Sequence, residues 1–161
     1  MKQLLWPDEV STLETAPIAI LQQQASLLGP KTNHIVEAKV SRSDIYLPSK
    51  KHGFRYDFYL YAPILRNYAY HLFSTTHYQN LSGSAYQVYP VVFHIIYEDM
   101  RQELESQLGA WGGTTEPVIA RTEEEFFLIL SKIFHSKRTQ GVIGRMKAQS
   151  KDYEPDKQVS F

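Results

Sequence analysis

Residues 54–62 read FRYDFYLYA, and this stretch decides the fold class. Apolar and more polar residues alternate along it, which is the period of a β-strand with one face on a core. The two alternating sets are Phe54, Tyr56, Phe58 and Leu60, and Arg55, Asp57, Tyr59 and Tyr61. The sequence therefore predicts a strand whose two sets lie on opposite faces of a sheet, and it leaves open which face is covered.

Runs with the same period occur on both sides of this stretch. They lie at residues 34–40, 67–76 and 85–96 and read HIVEAKV, NYAYHLFSTT and AYQVYPVVFHII, and residues 118–121 add a short fourth run. The first three connecting segments contain turn residues and are too short for helical crossovers, so neighbouring strands should run antiparallel. We predict a meander of four or five strands, with Pro90 at an edge or a bulge.

A helical pattern precedes the strands at residues 16–28. Its apolar residues recur at helical spacing, with polar residues between them. Thr15 is the predicted N-cap, Pro17 fits the first turn because its missing N–H is not needed there, and Gly29-Pro30 is the predicted stop.

Three further helical patterns lie in the C-terminal part, at residues 97–108, 122–134 and 136–150. The second begins with a capping box, Thr122 to Glu125, and has a wide apolar face. The whole chain is thus predicted to have an α+β fold: an N-terminal helix, a curved four- to five-stranded antiparallel meander, and C-terminal helices packed on one sheet face.

This fold is predicted to occupy one domain, residues 1–150, and residues 151–161 are predicted to form a polar, flexible tail. The chain has 17 Lys plus Arg and 17 Asp plus Glu, so no overall charge draws it to nucleic acid or to anionic membranes. It has no cysteine, which excludes disulfides, Cys-ligated zinc and thiol catalysis. Because no apolar run approaches a membrane span, we expect no membrane partner and a cytoplasmic location.

Glu37 and Lys39 form the Glu-x-Lys pattern found on the metal-binding strand of some nucleases. Alternation places both on one strand face, as that chemistry requires. However, a divalent metal needs a second acid, and no upstream acid follows a strand-like run. We interpret the pair as surface charges and keep a metal-dependent phosphodiesterase as the second alternative function.

Other catalytic and metal patterns are weak. The six histidines show no metal-ligand spacing, and no Ser or Thr lies in a nucleophile motif. We therefore predict no catalytic residue, no metal and no cofactor, and favour a binding protein over an enzyme.

A basic segment at residues 132–151 supports the first alternative, a nucleic-acid-binding protein. Its candidate phosphate-binding residues are Lys137, Arg138, Arg145 and Lys147. The competing interpretation is a solvated helix face whose charges complement the helix dipole.

The favoured function rests on the tyrosines, of which the chain has eleven. If helices cover one sheet face, the other presents the candidate partner-binding residues Arg55, Tyr59, Tyr61 and His71. Tyr and Arg commonly anchor protein interfaces. We predict a small binding or assembly module that uses this face, or a strand edge, for self-association or a protein partner, unless both faces are buried.

Overall fold

The structure is a computed structural model that describes residue 5 and residues 15–46, 52–66, 68–78, 88–108 and 118–153. Within these residues the chain forms helices, strands and one turn of 3-10 helix. In chain order they are α1 Pro17–Lys31, β1 Glu37–Tyr46, β2 His52–Tyr61, the 3-10 turn Pro63–Leu65, β3 Ala69–Tyr78, β4 Val91–His94, α2 Glu98–Leu108, β5 Val118–Ala120, α3 Glu123–His135 and α4 Lys137–Asp152.

The five strands form one open antiparallel sheet in the order β1-β2-β3-β4-β5. Each strand pairs with its neighbour in the chain, so the predicted α+β meander is confirmed. No helix among the described residues combines the length and apolar character needed to cross a bilayer.

A bulge interrupts the pairing of β2 with β3. Phe58 pairs with Phe73 and Tyr59 pairs with His71, so Leu72 is an extra residue without a partner on β2. In a regular strand, His71 and Ser74 would lie on opposite faces because they are an odd number of positions apart. The extra residue brings both of them to the same face.

The core lies between one sheet face and the helices. Phe58 stacks on Phe73 with ring centroids 5.1 Å apart, and Phe134 of α3 lies 5.4 Å from Phe58. Farther along, Phe93 of β4 lies 5.2 Å from Phe126 of α3. Of the two alternating sets in residues 54–62, the set with Phe58 and Leu60 is therefore on the helix side, and both of these residues are buried.

Side-chain caps mark the start of the last two described helices, α3 and α4. Thr122 Oγ1 accepts the Glu125 N–H at 3.1 Å, and Glu125 Oε2 accepts the Arg121 N–H at 2.6 Å rather than that of Thr122. Ser136 Oγ accepts the Thr139 N–H at the start of α4. Because α4 continues to Asp152, it passes the predicted end of the domain at residue 150, and the predicted tail beyond residue 153 lies outside the described residues.

Two features of α1 differ from prediction. Its N-cap is Ala16, without a side-chain hydrogen bond, rather than Thr15. The helix also continues through Gly29 and Pro30 to Lys31, since Thr32 caps it with a backbone N–H to the Leu28 carbonyl at 3.2 Å.

Gly29 does not end the helix; it allows α1 to approach β1 closely. A Cβ at this position would collide with the carboxylate of Glu37, one of whose oxygens would lie 2.6 Å away. The glycine thus lets the end of α1 lie directly against the start of β1.

The strand boundaries also shift. Asn33 and His34 have positive φ angles of 52° and 60° and form a turn, so β1 begins at Glu37 rather than residue 34. The strand then continues through residues 41–46, which the predicted strand did not include. The predicted long strand at 85–96 is reduced to β4, Val91–His94, and residues 85–87 lie outside the described residues.

Candidate functional site on the outer sheet face

The sheet face opposite the helices is called the outer face. Strand register places on it residues from four neighbouring strands, namely Lys39, Arg55, Asp57, Tyr59, Tyr61, His71, Ser74, Thr76 and His94. All four residues predicted to bind a partner, Arg55, Tyr59, Tyr61 and His71, belong to this set. The structure therefore brings them together on one surface.

A hydrogen-bonded network holds the centre of the outer face. Arg55 Nε donates to Asp57 Oδ1 at 2.9 Å, and Arg55 Nη2 donates to Ser74 Oγ at 3.2 Å. Ser74 Oγ donates to Asp57 Oδ1, and His71 Nε2 lies 2.7 Å from Ser74 Oγ. Ser74 is 0% exposed, so this hydroxyl is fully enclosed by its partners.

The network fixes the ionisation of Asp57. Burial opposes the charged form, but hydrogen bonds from Ser74 and Arg55, with the charges of Arg55 and His71, outweigh it and lower the Asp57 pKa. The side chain is only 17% exposed, whereas that of Arg55 is 40% exposed. The carboxylate is thus covered and the guanidinium reaches the surface.

The network contains Ser, His and Asp but is not a nucleophilic triad. In a triad the serine donates to histidine, and histidine donates to aspartate. Here the single Ser74 proton goes to Asp57, so His71 must donate its Nε2–H to Ser74. The buried serine accepts from Arg55 and His71 and donates to Asp57, so no histidine is placed to take its proton and the arrangement orients Arg55 and His71.

Beside the network lies the aromatic patch, defined as Lys39, Tyr59, Tyr61 and His71. The rings of Tyr59 and His71 are 5.1 Å apart. The Lys39 ammonium lies over both tyrosine rings, 5.8 Å from Tyr59 and 5.4 Å from Tyr61. Lys39 is exposed and the three rings are half-buried, so the patch offers a mixed aromatic and cationic surface.

Ser74 and His94 were missed by sequence reasoning. His94 Nε2 lies 2.9 Å from Thr76 Oγ1 at the edge of the network. Burial lowers the His94 pKa, with a contribution from the Arg55 charge, while Asp57 opposes the shift. His94 of β4 pairs with Ser74 of β3. The position of the bulge could not be read from the sequence, so Ser74 could not be predicted to lie beside His71.

The basic residues of α4 divide into two groups. Arg138 donates to Asp99 Oδ1 at 2.7 Å and to the Tyr70 hydroxyl at 2.9 Å, and its guanidinium lies 4.3 Å from the Tyr97 ring centroid. Arg138 therefore links α4 to α2 and β3. Lys137, Arg145 and Lys147 are exposed.

Glu37 and Lys39 have separate partners. Glu37 Oε1 lies 2.9 Å from His34 Nδ1, while Lys39 covers the tyrosines. Among the described residues, no group of three or more His, Asp or Glu side chains is placed to hold a metal ion. Within that part of the chain, Glu37 thus lacks the acids that a nuclease metal site requires.

Comparison with known proteins finds no family model, no curated protein and no solved structure that matches the chain.

Proposed function

We propose that this protein is a non-enzymatic protein-binding module whose outer sheet face holds a partner. The observation that carries the proposal is the aromatic patch, in which Lys39 covers Tyr59 and Tyr61 beside His71 on the face opposite the helices. Tyrosine rings supply contact area with little loss of side-chain entropy, which is why they anchor interfaces.

The network beside the patch supports binding because it orients two of the contact groups before a partner arrives. Arg55 is held by Asp57 and Ser74, and His71 is held by Ser74 and by the Tyr59 ring. A partner therefore meets side chains whose conformational freedom is already reduced.

The exposed charges favour an acidic partner segment. Lys39 and Arg55 reach solvent, whereas Asp57 is covered and already bonded to Arg55 and Ser74. A second copy packed face to face about a two-fold axis would bring these cations together. An acidic segment of another protein fits the face better.

The test is an array of peptides that combine acidic and aromatic residues, with neutral scrambled peptides as controls. Wild-type protein should prefer the acidic peptides, and Tyr59→Ala with Tyr61→Ala should reduce binding about tenfold or more, as loss of interface anchors does. Tyr68→Ala is the matched control, because Tyr68 is 38% exposed and lies outside the patch. Equal binding by the double variant would contradict the proposal.

Nucleic-acid binding through α4 is the second candidate. Lys137, Arg145 and Lys147 are exposed, and Gly141 and Gly144 on the same helix have open space where a side chain would lie, so a phosphate backbone can approach.

This candidate predicts that a labelled single-stranded oligonucleotide binds with an affinity that falls steeply as salt rises. Lys137→Glu with Arg145→Glu should abolish the salt-dependent signal in fluorescence anisotropy. Arg138 is left unchanged because its contacts with Asp99 and Tyr70 support the fold. A signal unaffected by the double variant would remove this candidate.

A further inference from the structure

A groove of about 310 Å³ lies on the helix side of the sheet, between α1 and the junction of α3 with α4. Its floor is formed by Phe58 and Leu60 of β2, and the two walls are helical. The volume lies at the lower end of the range of roughly 300–1,000 Å³ that is typical of small-molecule sites. The groove is separate from the outer face, since the sheet lies between them.

The groove leaves apolar surface open to solvent. Leu27 of α1 is 48% exposed, and Leu28, Phe134 and Ile143 in the walls are half-buried. Contiguous exposed apolar surface of this kind commonly marks a binding site.

The polar lining of the groove favours an anion. Lys31 is exposed at the end of α1 and forms no ion pair with any residue that the structure describes. No Asp or Glu side chain is among the lining residues found in the described part of the chain. His135 donates its Nδ1–H to the Ser131 carbonyl at 2.8 Å, so the neutral ring offers only an accepting Nε2 and the preference for an anion rests on Lys31.

We propose that this groove binds a small amphipathic carboxylate of the medium-chain fatty acid class. The alkyl chain lies between the apolar walls, against Leu27, Phe134 and Ile143, and the carboxylate pairs with the Lys31 ammonium. The ligand thereby covers the exposed part of Leu27. Its negative charge complements the positive charge of Lys31.

The experiment is isothermal titration calorimetry with decanoate below its micelle concentration, and with decanol as the uncharged comparison. Decanoate should bind wild-type protein more tightly than decanol, and Lys31→Gln should weaken decanoate binding about two- to fivefold, the effect of losing an exposed ion pair. Lys151→Gln is the matched control, because Lys151 is also an exposed lysine in the last turn of its helix but does not line the groove.

A second variant, Leu27→Glu, tests whether the ligand lies between Leu27 and Lys31. Leu27 is exposed enough for this change to leave the core intact, and the new carboxylate, one helical turn before Lys31, should abolish decanoate binding because it repels the ligand and pairs with the Lys31 ammonium. Lack of decanoate binding to wild-type protein, equal affinity for decanol, or unchanged affinity in Leu27→Glu would each overturn the proposal. A concentration-dependent dimer that Leu27→Glu dissociates, without decanoate binding, would overturn it in favour of a second copy. The variant with Tyr59→Ala and Tyr61→Ala should retain decanoate binding, so the two proposals fail independently.

Discussion

Ser74 is the residue on which the outer face depends most. It is fully buried, and its hydroxyl contacts Arg55, Asp57 and His71 at once. Each of these neighbours would lose a partner if the hydroxyl were removed. Burial of polar groups without partners costs more than an ordinary hydrogen bond contributes.

We therefore expect Ser74→Ala to lower the free energy of unfolding by about 1–3 kcal/mol, the cost of leaving buried polar groups unsatisfied. Urea denaturation measures the change. Ser43→Ala is the control, since Ser43 lies on the same face of β1 but is exposed. A loss no greater than that of the control would show that the network has no energetic importance.

Asp57 and His94 make stability depend on pH in the same direction. In the folded protein the Asp57 pKa lies below its ordinary value of 3.8 and the His94 pKa lies below 6.5. The unfolded chain therefore binds more protons than the folded chain as pH falls through these ordinary values. The free energy of unfolding should decrease below about pH 6.5 through His94 and again below about pH 3.8 through Asp57.

Urea denaturation as a function of pH provides the measurement. His94→Asn should flatten the dependence in the upper window, and Asp57→Asn should flatten it in the lower window. Slopes identical to wild type in both variants would refute the assignment of the pH dependence to these groups.

At the scale of elements, the junction of α1 with β1 places Gly29 against the carboxylate of Glu37. Gly29 leaves room for Glu37, whereas Gly141 in α4 has open space around it. Alanine is better than glycine inside a helix by about 1 kcal/mol. The two helical glycines should therefore respond differently to the same substitution.

We expect Gly141→Ala to raise the free energy of unfolding by about 1 kcal/mol, and Gly29→Ala to raise it by less. In a Glu37→Ala background the collision is absent, so Gly29→Ala should then give the full gain. A double-mutant cycle by chemical denaturation measures the coupling. Additive effects of Gly29→Ala and Glu37→Ala would mean that the carboxylate moves aside without cost.

At the scale of the whole molecule, alternation along residues 54–62 predicted which residues share a sheet face, and the structure shows which face meets the helices. Phe58 and Leu60 lie in the core, and Arg55, Tyr59 and Tyr61 lie on the outer face. The two sets could be predicted because successive side chains of a strand alternate between two faces, whereas the face that the helices cover depends on tertiary packing.

The bulge in β3 and the role of Gly29 could not be predicted from local sequence patterns. Leu72 and Phe73 are adjacent and both apolar, so neither identifies the extra residue of the bulge. Gly29 looked like a helix stop because glycine commonly follows a helix, whereas its actual constraint comes from Glu37 across the junction. Tertiary contacts of this kind are absent from local sequence.

The bulge in β3 gives the strand one residue more than its pairing with β2 uses. His71 pairs with Tyr59 and Phe73 pairs with Phe58, and Leu72 between them has no partner on β2. Loss of Leu72 would leave both halves of the strand with the same partners and the same faces, whereas loss of Ser74 would put Phe73 opposite Asp57 on the outer face. A one-residue deletion should therefore be tolerated at the bulge and not beside it.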